Sequence, residues 1–96
     1  MNLIKKFKKR KQEELKNKFY NYIENAKYDI KMAINIEEAE FRYAKMFGAL
    51  DLAKAIDLID TCKRFEIGNE IEDIMKRACN IIRYKQSLEL KNTEEQ

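Results

Sequence analysis

The sequence contains no His, no Pro and no Trp, and it has only two Gly and two Cys among its 96 residues. Without His, the Ser-His-Asp triad, the Cys-His pair and the usual zinc and haem sites are excluded. The two Gly supply too little turn chemistry for an all-β fold, which needs a turn at about every tenth residue. We therefore expect a helical protein that is not an enzyme and that uses no metal and no cofactor.

Long apolar runs are also missing. The longest is Met46-Phe47-Gly48-Ala49-Leu50, whereas a helix that crosses a membrane needs roughly 20 apolar residues. The basic N-terminus is not followed by the apolar segment of a secretory signal peptide. Two Cys without a Cys-x-x-Cys pair fit a reducing compartment. We expect a cytoplasmic protein, which in one interpretation below is peripheral at the membrane.

The charge is nearly balanced in total but not along the chain, since 20 Lys and Arg stand against 17 Asp and Glu. Residues 1–18 alone contain eight Lys and Arg and two Glu, and the remaining residues carry an acidic excess. We refer to residues 1–11 as the basic head. Its like charges repel one another, and an anionic partner would neutralise them. The candidate binding residues are Lys5, Lys6, Lys8, Lys9, Arg10, Lys11, Lys16 and Lys18.

Apolar residues recur at steps of three and four, which predicts α-helices. The first helix is expected from about Leu3 to Ile34. Asn35 and Glu38 then form an Asn-x-x-Glu variant of the capping box, in which each side chain bonds a free backbone N–H. This signature places the start of a second helix at Asn35.

The same signature recurs at Asn69 and Glu72, directly after Gly68. Gly just past an apolar stripe is typical of a left-handed helix end, so we expect the second helix to end at Gly68 and a third to follow. Helices of about 31, 31 and 22 residues with short connections predict an elongated, antiparallel up-down-up three-helix bundle. Gly48 leaves an alternative open, because a break there would make four helices.

The predicted core follows these stripes. On the first helix it comprises Leu15, Phe19, Tyr22, Ile23, Ala26, Ile30, Ala33 and Ile34. The second helix has two stripes, Ile36, Ala39, Tyr43, Phe47 and Leu50 on one side and Ala49, Leu52, Ala53, Ile56, Ile59 and Cys62 on the other, which suits a helix between two neighbours. The third contributes Ile71, Ile74, Met75, Ala78, Ile81, Ile82 and Leu88, interrupted by Lys85.

We expect one helical domain over residues 1–96, with a head that projects or frays and a tail, residues 92–96, that frays. Tyr20 is expected to point away from the buried stripe. Cys62 and Cys79 are expected to be buried or half-buried and too far apart for a disulfide, which needs Cα atoms within about 7 Å. Residues expected at an exposed face, available to a protein partner or to a homodimer, are Ile67, Leu90, Leu58 and Phe41.

This pattern favours a small regulatory or adaptor protein that acts by helical protein–protein interaction while the head attaches to an anionic partner. Nucleic acid is slightly preferred, because its phosphates bind clustered cations whatever the base sequence. In the alternative, a peripheral membrane protein, the cations meet anionic lipid and Leu3, Ile4 and Phe7 enter the interface. The chain also resembles bacteriocin-immunity proteins in size, Lys content and helicity, although no motif carries that likeness. A head that only aids solubility is the remaining interpretation.

Overall fold

The computed structural model describes the backbone of residues 2–94 and the side chains of residues 2–91. Over this range the chain forms three α-helices that pack against one another, α1 (Asn2–Lys31), α2 (Ile36–Ala55) and α3 (Thr61–Glu94), and no strand. The molecule is elongated, with extents of 76 × 19 × 15 Å. The prediction of an all-helical fold is confirmed. α3 continues to residue 94, into the segment expected to fray, and residues 95 and 96 lie outside the described range.

The start of α2 agrees with the prediction. Asn35 is extended (φ −144°), and its Oδ1 accepts a hydrogen bond from the N–H of Glu38 at 2.7 Å. In return, Glu38 Oε2 accepts from the N–H of Ile34 at 3.4 Å. These bonds hold the chain at the point where the first helical N–H groups lack partners. The first connection is therefore encoded locally, and α1 ends at Lys31, slightly before its predicted end.

The prediction of a long second helix is wrong, because α2 ends at Ala55. Asp57 adopts the left-handed conformation, with φ of 58°. Its N–H donates to the carbonyl of Lys54 at 3.0 Å, and the N–H of Leu58 donates to the carbonyl of Ala53 at 2.8 Å. This pair of bonds is the Schellman helix end. Asp stands where Gly is usual, which is possible because its short polar side chain tolerates this conformation.

α3 begins at Thr61 and not at Asn69. Asp60 is its N-cap, since Asp60 Oδ1 accepts from the N–H of Lys63 at 2.7 Å. The second Asn-x-x-Glu signature consequently lies inside α3, where no helix begins.

Neither Gly breaks or ends a helix. α2 passes through Gly48, so the four-helix alternative is not realised between residues 2 and 94. Gly68 is buried inside α3 without a positive φ, and a Cβ added to it would lie 3.7 Å from the Phe47 ring. Gly68 is therefore a packing position rather than a helix end.

All three helices contribute to the core. Its largest fully buried side chains are Ile23 and Ile30 from α1, Met46 and Leu50 from α2, and Ile71 from α3. Burial of one such side chain contributes about 1.5–3 kcal/mol. A second, smaller cluster lies near the connection at residues 32–35 and consists of Ala33, Ala39 and Ile82.

Several side chains expected in the core are exposed, because the core takes up a narrower face of each helix than the apolar stripes predict. They are Leu15, Tyr22, Ile34, Leu52, Ile56, Ile81 and Leu88. Tyr20 differs in the opposite sense, since it packs against the core with its ring 5.7 Å from that of Phe19. The connection at residues 57–60 reaches this side of α1. Ile67 and Leu58, expected at the surface, also pack into the core.

Both Cys are free, as predicted, but for another reason: they lie on the same helix, α3, about 25 Å apart along its axis, and not on facing helices. Cys79 is half-buried, but Cys62 is exposed, so its predicted burial is wrong. The reason is again the position of the second connection, which places Cys62 in the first turn of α3 and not at the end of α2.

Polar contacts join α3 to both other helices. Lys27 of α1 donates to Glu70 of α3 at 2.5 Å. Arg64 of α3 donates from Nε to Asp51 of α2 at 2.8 Å, and its guanidinium carbon lies 5.7 Å from the centre of the Phe47 ring. The helices are thus fixed in register at their surfaces as well as through the core.

Candidate anion-binding surface

The eight cations of the predicted binding set lie on the N-terminal part of α1. Every residue from 2 to 18 is exposed. None of the eight forms an ion pair with another residue that the structure describes, whereas four of the twelve Lys and Arg in the remaining chain do, namely Lys27, Arg42, Lys63 and Arg64. The positive charge of this segment is therefore not neutralised within the described chain.

The head concentrates positive potential at a helix end that is already positive. The first turn of α1 contains no acidic residue, although the macrodipole favours negative charge there. Lys5 and Lys9, and likewise Lys6 and Arg10, stand four residues apart, where like charges destabilise a helix. Since successive residues are rotated by about 100°, the cations surround the helix. An anion bound here would relieve both unfavourable effects.

The head also carries an exposed apolar edge. Leu3, Ile4 and Phe7 are 83%, 66% and 60% exposed. Lys11 interrupts this edge, with Nζ 4.9 Å from the centre of the Phe7 ring. Lys8 and Lys11 line the same shallow groove as Ile4 and Phe7. Cations and apolar side chains therefore share one side of the helix instead of occupying opposite faces.

Lys16 and Lys18 differ from the other six because they lie where α1 meets the rest of the protein. Lys16 lines a depression with Asp57, Asp60 and Lys63, so carboxylates lie near it although it forms an ion pair with neither. Lys18 borders an apolar groove between α1 and α2 that contains Leu52. The strongest uncompensated charge is thus in residues 5–11.

Sequence reasoning found only part of a second surface, the outer side of α2, because it expected Phe41 at an exposed face but assigned Leu52 to the core. Phe41 and Leu52 are 70% and 63% exposed there, and Gly48 lies between them. The signal was present as apolar or small residues at positions 41, 44, 48, 52 and 55. It could not be interpreted while the second helix was expected to continue to Gly68 and to be covered on two sides.

Two absences complete the description of residues 2–94. No group of three or more Cys, Asp and Glu side chains is placed to hold a metal ion. None of the helices, within the same range, combines the length and the apolar character needed to cross a bilayer.

The comparisons with known proteins give no family. The chain matches no protein-family model, no curated protein and no solved structure.

Proposed function

We propose that this is a small regulatory or adaptor protein, non-enzymatic and cytoplasmic, which binds nucleic acid through its basic head and a protein partner through its helical surface. The observation that carries the proposal is the set of exposed cations in residues 5–18, none of which has an ion-pair partner among the described residues. Nucleic acid phosphates bind such cations and release counterions, so they need no shaped pocket.

The placement of charge around the head favours a phosphate backbone over a bilayer. A helix that lies in a membrane interface separates an apolar face from a charged face. In the head, Lys8 and Lys11 line the same groove as Ile4 and Phe7. A polyanion that lies beside or around the helix can use every cation, whereas a bilayer would have to accommodate charged groups within its apolar contact.

The proposal includes the up-down-up order of the helices. It is supported by contacts at the two ends of the bundle. Leu15 of α1 lies beside Ile56, just after α2, and Ala33, just after α1, clusters with Ala39 near the start of α2. In this arrangement the head extends beyond the end of α2, where no neighbouring helix covers it.

A salt titration tests the nucleic-acid proposal. The full chain and a chain that starts at Gln12 are titrated into labelled single-stranded and duplex DNA. We expect the full chain to bind, and its affinity for the duplex to fall about 10³-fold or more between 50 and 200 mM salt if six or more phosphates are neutralised. Absence of binding even at low salt would refute the proposal.

A matched pair of variants separates the head from general basicity. The first variant replaces Lys5, Lys6, Lys8 and Lys9 with Gln. The second replaces four exposed cations of α3 with Gln, namely Lys76, Arg77, Arg83 and Lys85. Both remove the same charge, so only the first should abolish binding and reduce the salt dependence. Equal losses would mean that the head is not the site.

The exposure of Leu3, Ile4 and Phe7 favours one second candidate, attachment to an anionic membrane surface. Replacing these three residues with Gln keeps the charge and removes the apolar edge. Co-sedimentation with vesicles that contain anionic lipid should then be lost if the membrane is the partner, while DNA binding is retained. Binding to vesicles that is independent of these residues and stronger than binding to DNA would favour lipid through charge alone.

A further inference from the structure

The outer face of α2 is apolar and uncovered along most of the helix. Phe41, Ala44, Gly48, Leu52 and Ala55 are all exposed. They are separated by steps of three and four, so they share one face over about 21 Å of helix. Exposed Phe and Leu side chains on one continuous face are typical of an interaction surface.

Gly48 lies at the centre of this face. A Cβ added to Gly48 would meet no atom within 4 Å, and its φ is not positive. Neither the backbone conformation nor the packing of the described chain therefore requires Gly, although Gly destabilises a helix relative to Ala. A Gly in such a place allows another backbone to approach closely.

The side chains before Gly48 are complementary to those after it when a second copy of α2 runs in the opposite direction. If a second copy of α2 crosses antiparallel with a two-fold axis at Gly48, residues at equal distances before and after it face each other. Phe41 then faces Ala55 of the second copy, and Ala44 faces its Leu52. A large side chain meets a small one in each pair, as close packing requires.

The charges are complementary in the same register. Lys45 and Asp51 each stand three residues from Gly48, so each faces the other across the two-fold axis. Lys45 forms no ion pair with any residue that the structure describes. Asp51 pairs with Arg64, yet its side chain remains 64% exposed and can accept another hydrogen bond.

We propose that the protein forms a two-fold symmetric homodimer through the outer face of α2, with the helices antiparallel and crossing at Gly48. The inference rests on the proposed function, since it names the second copy as the partner of the helical surface. Antiparallel pairing also separates the two basic heads, because Leu15 lies near Ile56 at one end of α2. Two heads at opposite ends of the dimer can bind one polyanion at two points, which strengthens binding by avidity.

Sedimentation equilibrium of the full chain without nucleic acid is the first test. We expect twice the 11.5 kDa mass of the chain. Gly48→Glu should yield a monomer that remains helical by circular dichroism, because it introduces like charges at the axis and a better helix former. A wild-type monomer at about 100 µM, or a dimer that Gly48→Glu leaves intact, would overturn the inference.

Charge reversal tests the register. Lys45→Asp should raise the dimer dissociation constant at least about tenfold, since it places carboxylates opposite each other. Adding Asp51→Lys to that variant restores opposite charges and should recover most of the loss, although it removes the pairing with Arg64. If the second reversal weakens the dimer further, the register is wrong.

Cross-linking tests the axis. In a chain with Cys62→Ser and Cys79→Ala, Gly48→Cys should form an intermolecular disulfide under mild oxidation, because the two Cα atoms would lie within about 7 Å. Glu40→Cys is the control, exposed on the same helix but off the proposed face. Equal cross-linking of both would reject the geometry. DNA binding by Gly48→Glu is measured separately from its oligomeric state. Failure of the dimer proposal can therefore be distinguished from failure of the proposal that the basic head binds DNA.

Discussion

Lys27 in α1 donates a hydrogen bond from Nζ to Oε2 of Glu70 in α3 at 2.5 Å. The Lys27 side chain is only 15% exposed, and Glu24 accepts a second bond at 3.0 Å. Burial by itself would lower the pKa of Lys27, but the hydrogen bonds and negative charges of Glu70 and Glu24 outweigh it and raise the pKa above its usual value. The ammonium is therefore more stable in the folded state than in the unfolded chain.

This raised pKa predicts loss of stability at high pH. A group with a higher pKa when folded stabilises the fold below its unfolded pKa, near 10.5 for Lys, and the contribution falls as pH rises through the folded value. Tyr43 acts in the same direction, since burial and the charge of Glu72 raise its pKa. We expect the free energy of unfolding, from urea titrations, to fall as the pH rises above about 10.

The Lys27→Met variant isolates the contribution of this pair. The variant should lose about 1 kcal/mol of unfolding free energy at neutral pH, a modest loss because water screens the half-exposed Glu70. Its unfolding free energy should also fall less steeply at alkaline pH than that of the wild type. Lys63→Met is the control, because Lys63 pairs with Glu66 on the surface of a single helix. A larger effect at Lys63 than at Lys27 would contradict this account.

Gly68→Ala should stabilise the protein. Gly68 lies inside α3 without a positive φ, and an added Cβ would make ordinary contact with Phe47. Ala in a helix interior is favoured over Gly by about 1 kcal/mol. Thermal unfolding should therefore show a higher midpoint. Destabilisation would mean that Gly68 ends a helix, as the sequence alone suggests.

Asp57→Gly should also stabilise the protein, by about 1 kcal/mol, because a residue other than Gly is strained in the left-handed conformation. Asp57→Asn controls for the loss of charge, since Asn also tolerates this conformation, and should change little. Asp57→Val should destabilise. The ranking Gly, Asn, Val in urea midpoints checks the prediction, and an inverted ranking would place the turn elsewhere.

Asn35, Asp57 and Gly68 show which helix ends the sequence could predict and which it could not. The Asn35 cap was found because its signature is local and the side chains that make it are three residues apart. The turn at Asp57 was missed because Asp replaces the Gly that marks most helix ends, and because the Asp60 cap has Lys63 where Glu or Gln is usual. Gly68 was misinterpreted because its role depends on Phe47, a residue distant in sequence.

The candidate sites divide in the same way. The basic head is visible in the sequence, because clustered charge needs no knowledge of the fold. The outer face of α2 is visible only in part, at Phe41, since Leu52 lies on an apolar stripe that a longer helix would have buried. The structure shows that Leu52 is uncovered, with 63% of it exposed.

Charge reversal at the start of α1 should have opposite effects on stability and on binding. Lys5→Glu with Lys6→Glu places acidic residues near the helix N-terminus and removes repulsion with Lys9 and Arg10. Helix content by circular dichroism should rise slightly, while DNA affinity falls at least about tenfold if each lost phosphate contact weakens binding. Parallel changes in both measurements would show that the head is structural.

The three helices contain 30, 20 and 34 residues, so the shortest one limits how much of the chain shares a core. Residues 2–14 lie beyond it, and substitutions there leave the buried contacts unchanged. The head can therefore vary in charge and length while these buried contacts persist. Such modularity makes the first dozen residues a convenient place to graft a binding sequence, because the scaffold does not depend on them.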